Sequence, residues 1–131
     1  MSGIILYIEH NEENLLLVRK AIEGIGLTLF CARSGEEGLA SAWRLRPAVI
    51  LLGLDLPDLD AFQAARTLRR QLDEGLRCIP IIAVSAGSGA GQPGEADRAI
   101  AAGCDAYLPQ PININRLWET VETFLSVSDF C

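Results

Sequence analysis

Residues 48–62 read AVILLGLDLPDLDAF, and no other stretch limits the available folds so much. Val49, Ile50, Leu51 and Leu52 form an unbroken run of mostly branched apolar residues, too short to span a membrane, of the kind that fills a strand buried on both faces in a parallel sheet. Gly53 ends the run. In the segment beyond it, Pro57 cannot donate to a sheet ladder, and Asp58 and Asp60 suit a turn into a following helix. Acidic side chains therefore gather at the carboxyl end of a central strand, where open α/β sheets place their sites.

The rest of the chain alternates short apolar runs with helical patterns. Residues 4–8 predict a strand ending at Glu9 and His10. Asn11 then caps a helix with Leu15, Val18, Ile22 and Ile25 on its apolar side and Gly24 and Gly26 at its close. Residues 27–31 predict a second strand. Ser34, with Glu37 three residues on, forms a capping box for a helix that runs to about Leu45, before Pro47. A third helix is expected from about Asp60 with Phe62, Ala65, Leu68 and Leu72 on one face, followed by a charged connection at residues 73–77. Residues 78–84 predict a fourth strand with Pro80 near its start, and the glycine-rich residues 85–94 predict a mobile loop. A fourth helix is expected from Glu95 to Gly103, and residues 106–109 predict a short fifth strand. Pro111 and Asn113 then open a last helix carrying Ile114, Leu117, Trp118, Val121 and Leu125.

The 131 residues suffice for one domain with a buried core, and residues 1–131 are expected to form a single unit with no output domain. A net charge of -6 argues against a general binder of nucleic acid or of anionic membranes, both of which need basic patches. The first residues carry no basic region, so no signal peptide is expected. Cys31, Cys78, Cys104 and Cys131 form no CxxC pair; neither a zinc site nor a redox pair is written, and the set reads as reduced and cytoplasmic.

Five strands alternating with helices through short connections imply an α/β, doubly wound parallel sheet, since right-handed crossovers lay helices over both faces. The motifs go further. IILYIEHNEEN resembles a strand ending in an acidic pair, and LLGLDLPDLDAF a phosphorylation-site strand with its proline turn. IPIIAVSA resembles a strand ending in a hydroxyl residue, and AAGCDAYLPQPI an AAGxxxYLxKPI signature. Across nearly its full length the chain resembles the receiver domains of response regulators, and among them the free-standing single-domain receivers. That resemblance implies the flavodoxin-like strand order 2-1-3-4-5 and a role in two-component signal transduction.

It also exposes departures. Working receivers use an aspartate at the end of the third strand to take up a phosphoryl group, two acids at the end of the first to hold magnesium, and a lysine to pair with the phosphoryl group. Here Gly53 stands at the phosphoacceptor position and offers no nucleophile. His10 replaces the second acid beside Glu9, and Gln110 replaces the lysine. Ser85 at the hydroxyl position and Tyr107 at the switch-aromatic position match the family. Magnesium prefers hard oxygen ligands, so Glu9 with the Asp55 backbone carbonyl implies a weak metal site or none. A lysine without its anion would be costly to bury, which makes Gln110 consistent with Gly53.

Single residues admit other readings. Asp55 is a surrogate phosphoacceptor or a solvated turn acid. His10 is a pH-sensitive partner of Glu9 or an exposed strand-end histidine. Glu9, His10 and Asp55 offer imidazole and carboxylate to zinc or manganese, at no diagnostic spacing. Residues 89–94 fit GxGxxG and would cradle a nucleotide phosphate, or are a lengthened loop. Trp118 anchors an interface or completes the core stripe of the last helix. The preferred expectation is a phosphorylation-independent interaction module, not an enzyme and without a cofactor. Its expected partner is a histidine kinase, another receiver or an effector, and homodimers would form through the face of the fourth helix, fifth strand and fifth helix. The rivals are a conventional relay receiver using Asp55 and a small-ligand or nucleotide sensor.

Overall fold

The computed structural model describes residues 3–85 and 93–125. In chain order they form β1 (Ile4–Ile8), α1 (Glu12–Glu23), β2 (Thr28–Ala32), α2 (Gly35–Leu45), β3 (Val49–Gly53) and α3 (Ala61–Arg69). Then follow α4 (Glu74–Arg77), β4 (Ile81–Val84), α5 (Glu95–Ala101), β5 (Ala106–Leu108) and α6 (Ile114–Leu125). The strands make one parallel sheet in the order β2-β1-β3-β4-β5, the doubly wound arrangement expected.

Side chains alternate across a strand, so each buried strand feeds two cores. Leu6, Ile8, Ile50, Leu52, Ile81 and Ala83 point to the side covered by α2, α3, α4 and α5. Ile5, Tyr7, Val49, Leu51, Ile82 and Val84 point to the side covered by α1 and α6. Every residue of β3 is buried, as its unbroken apolar run requires. The register sets Ile8 beside Leu52, and Gly53 beside Val84, so the ends of β1, β3 and β4 lie side by side.

Caps fix the helices that lead away from this edge. The side-chain oxygen of Asn11 accepts from the Asn14 N–H at 3.0 Å and opens α1. Asp58 secures the proline turn, its two oxygens accepting from the Gly35 and Glu36 N–H groups at 2.8 and 2.9 Å. These backbone hydrogen bonds hold the Asp58 carboxyl below its ordinary range. Close packing reinforces the link, because a Cβ on Gly35 would meet Leu59 at 2.4 Å.

Several boundaries differ from the sequence expectation. The third helix stops at Arg69, and Leu72, expected on its buried face, is 96% exposed. Residues 73–77, expected as a connection, contain α4, which Asp73 caps and whose Leu76 is buried. The fourth strand starts at Ile81 rather than 78. The reason is that Cys78 caps α4 while the Arg69 guanidinium takes the carbonyls of Arg77, Ile79 and Gly103 and pairs with Asp105, so that of residues 78–80 only Pro80 reaches the sheet, its carbonyl accepting from the Ile50 N–H at 2.9 Å. The second strand is displaced by one residue to Thr28–Ala32, following its pairing with β1. Ile25 lies beyond α1, past its cap at Gly24, and is 37% exposed. The capping box at α2 is half realised. Ser34 accepts from the Glu37 N–H, but the Glu37 carboxylate accepts from Arg33 N–H instead of returning to Ser34. Cys31 and Cys104 are free thiols whereas Cys78 is disulfide-bonded, contrary to the expected reduced set, because spacing along a chain does not reveal which thiols folding brings together. The expected mobile loop lies, but for its ends, outside the described residues.

Candidate functional site

The carboxyl edge of the sheet carries Glu9 after β1, Gly53 at the end of β3, Ser85 after β4 and Tyr107 within β5. Glu9 is the surprise among them. Its side chain turns into the space that Gly53 leaves, and a Cβ built on Gly53 would lie 2.8 Å from Glu9 Oε1 and 3.0 Å from the Ile8 carbonyl oxygen. The carboxylate is 3% exposed, so its charge needs compensation by hydrogen bonds. Four donors provide it. The Tyr7 hydroxyl donates at 3.0 Å, the His10 and Asn11 N–H groups at 3.2 Å each, and Asn14 Nδ2 at 3.4 Å. Tyr7 is wholly buried; burial first, and then the neighbouring Glu9 charge and hydrogen bond, push its phenol far above the ordinary tyrosine range.

A second carboxylate organises the opposite end of the edge. Glu95, the first residue of α5, is 6% exposed. Its Oε1 accepts from Ser85 Oγ at 2.7 Å and from the Tyr107 hydroxyl at 2.5 Å. Ser85 is pinned on both sides, its N–H donating to the Leu108 carbonyl at 2.9 Å and its carbonyl accepting from Gln110 Nε2 at 3.2 Å. Gln110 therefore braces the backbone of the hydroxyl residue. Burial, with the hydrogen bond to Glu95 next, raises the Tyr107 phenol above its ordinary value.

The remaining candidates fall away from this arrangement. Asp55 is exposed in the turn beyond β3. His10 is exposed too, its Nδ1 3.9 Å from Glu9 Oε2, beyond a hydrogen bond. Trp118 is half-buried and packs against the core side built from Ile5, Tyr7 and Leu117. Trp43, which drew no attention in the sequence, is 52% exposed with the Arg46 guanidinium 4.5 Å over its ring. Glu95 was missed as a site residue because an acid in the first turn of a helix ordinarily caps a dipole in solvent. The glycine motif at 89–94 lies mostly outside the described residues.

The donor set does not fit magnesium. One carboxylate remains, already accepting four hydrogen bonds and folded against Gly53, while His10 offers nitrogen where a hard oxygen is wanted. Among the described residues no group of three or more histidine, cysteine, aspartate or glutamate side chains is placed to hold a metal ion, and Glu9, His10 and Asp55 do not form one.

Comparison with known proteins matches residues 5–122 to the response regulator receiver domain. The chain belongs to the response regulator receiver family. It is 35% identical over 125 residues to the polar-differentiation response regulator DivK of Brucella ovis, covering 95% of this chain and 98% of that one. Among solved structures it is similar to the receiver domain of a sensor histidine kinase from Pseudomonas aeruginosa PAO1. The identity is 27% and the TM-score 0.83, over 96% of this chain and 99% of that one, and that receiver was solved with a magnesium ion coordinated in its active-site cleft. A response regulator from Chloroflexus aurantiacus shares the fold at 21% identity and a TM-score of 0.86, over 96% and 99% of the two chains. The protein is thus a receiver domain of two-component signalling. No helix among its described residues is long and apolar enough to cross a membrane.

Proposed function

We propose that this receiver works as a protein-interaction module whose state is not set by aspartyl phosphate. The observation that carries the reading is the Glu9 carboxylate seated against Gly53, where a phosphoacceptor side chain would start. A nucleophile is missing, the surviving acid is committed to Tyr7, Asn14 and the backbone, and Gln110 is committed to the Ser85 carbonyl. Phosphoryl transfer needs an acceptor, a divalent cation and a cation for the transferred group. None of the three roles has a dedicated residue here. The chain is accordingly not an enzyme and carries no cofactor. It acts by docking on a histidine kinase, another receiver or an effector, with the surface of α5, β5 and α6 as the docking face, through which two copies would also pair.

Amide NMR spectra recorded before and after adding magnesium and beryllofluoride, a phosphoryl mimic on aspartate, test this. The expected result is no change around Ser85 and Tyr107. Shifts spreading from Glu9 and Asp55 to Tyr107 would instead make Asp55 a surrogate acceptor and overturn the proposal. Gly53→Asp alone is expected not to restore phosphoryl uptake, because His10 and Gln110 still lack the metal and phosphoryl roles; rapid labelling of that variant by a small phosphodonor would contradict it.

A further inference from the structure

At the amino edge of the sheet, opposite the site above, a corner is built around Arg46. This residue closes α2 at φ 49° and ψ 59°, a left-handed conformation that glycine adopts without strain and a long side chain does not. Its side chain is what holds it there. The guanidinium donates to both carboxylate oxygens of Asp73 at 2.7 and 2.9 Å, its Nε donates to the Trp43 carbonyl at 3.1 Å, and its central carbon stands 4.5 Å from the centre of the Trp43 ring. One arginine thus ties the end of α2 to the cap of α4 and steadies an indole that is 52% exposed. Leu72, next to Asp73 in the chain, is the most exposed of the large apolar residues.

Tryptophan and arginine are the residues on which interfaces most depend, and an indole already stacked on a guanidinium loses little freedom when covered. Charge says what would cover it. Arg44 adjoins Trp43, Arg70 lies two residues before Leu72 and Arg77 ends α4; among the described residues none of the three has an acid within ion-pair distance. The acids nearby, Asp73 and Asp105, are taken by Arg46 and Arg69, which leaves Glu74 to oppose three cations. A nucleic acid, anionic along its whole length, would run from this corner onto a chain of net charge -6. A second copy would have to bring its acidic carboxyl edge here, a head-to-tail contact that leaves both surfaces open at the ends of the pair. A short acidic segment meets neither objection.

We propose that Trp43, Arg46 and Leu72 form a second docking surface, for an acidic protein segment that sets an apolar side chain against the indole and its carboxylates against Arg44, Arg70 and Arg77. This corner lies at the other end of the sheet from Gly53 and on other elements than α5, β5 and α6, so it stands or falls separately from the function proposed above.

Differential selection tests it. A random peptide library displayed on phage is cleared on the Trp43→Ala/Leu72→Glu variant and then selected on the unmodified protein. The expected survivors combine aspartate or glutamate with a large apolar residue. Because Leu72 is almost fully exposed, Leu72→Glu alone removes an anchor without touching the core. A survivor synthesised and titrated by calorimetry should bind that variant about tenfold more weakly, and should bind the unmodified protein more weakly as salt rises. No enrichment, survivors without acids, or equal affinity for Leu72→Glu would overturn the proposal. So would a mixed-sequence DNA duplex whose binding Leu72→Glu abolishes, or a dimer of the unmodified protein, seen by sedimentation, that Leu72→Glu dissolves.

Discussion

Two tyrosine–carboxylate pairs stand at the same edge of the sheet, Tyr7 with Glu9 and Tyr107 with Glu95, and they differ in almost everything but chemistry. The first lies under Gly53 within a sheet strand that is covered on both faces, and its acid is held by four donors. The second lies where α5 meets β5, its acid held by two hydroxyls, one of them on a half-buried ring. Identical groups thus form a fully buried plug in one place and a partly exposed contact in the other. What separates them is how many other bonds hold the partners and how much of the ring already meets solvent.

Replacing each tyrosine separates the two cases most widely. Tyr7→Phe removes a buried donor from a buried carboxylate, and is expected to cost about 2 kcal/mol, within the range for hydrogen bonds to charged groups. Urea unfolding should show a lower midpoint at an unchanged slope. A loss close to zero would mean that the Glu9 bond is not part of the plug.

Gly53→Ala probes the plug from the other side. The new methyl would press on Glu9 Oε1 and on the Ile8 carbonyl, and overpacking of this kind costs about 1–2 kcal/mol. Because the carboxylate is one of the two obstacles, the same substitution in a Glu9→Ala background should cost about 1 kcal/mol less. A double-mutant cycle with no coupling would place Glu9 away from Gly53 in solution.

The contrast also marks what a sequence can show. The alternation of apolar runs and helical spacing was enough for a doubly wound parallel sheet covered on both faces, because burial on two sides leaves an unbroken apolar run in β3; the strand order came only with the resemblance to receiver domains. Boundaries failed where a distant side chain decided them. Arg69 takes carbonyls that would have extended β4, and nothing near residues 78–80 announces it. The vacated phosphoacceptor position could be read at Gly53, but not what fills it. Glu9 appears in the sequence as a surviving acid, and only the approach of β1 to β3 shows its carboxylate lying in the gap. Glu95 was still less legible, since the donors to its buried carboxylate, Ser85 and Tyr107, lie ten and twelve residues away along the chain.

Tyr107→Phe is expected to cost about 1 kcal/mol or less, because Ser85 still donates to Glu95 and the ring is partly solvated. Its larger consequence is for docking. If the surface of α5, β5 and α6 is the docking face, this variant should change partner affinity more than stability, whereas Tyr7→Phe should do the reverse. Titration calorimetry with a partner isolated by affinity capture on the unmodified protein, set beside the urea curves, would break the comparison if both variants moved the two quantities together.

The mildest effect is expected in alkali. Tyr7 has its phenol pKa raised in the folded protein, so the folded state keeps a proton that the unfolded chain begins to release near pH 10. Stability contributed by a group with a raised folded pKa is complete below the unfolded value and is lost above it. By pH 10.5 one such phenol should have cost just under about 1 kcal/mol, with a limiting slope of about 1.4 kcal/mol per pH unit beyond. The buried Cys104 thiol, pushed up to about 11, starts a similar decline from near pH 9, but it is common to the unmodified protein and to Tyr7→Phe. The difference between their unfolding free energies from pH 8 to 10.5 therefore isolates Tyr7, and it should narrow as the unmodified protein loses its advantage. Tyr107→Phe, with its ring half in solvent, should narrow the gap less over the same range. Equal narrowing in the two variants would mean that both phenols are equally withheld from water, and the distinction between the buried and the partly exposed pair would fail.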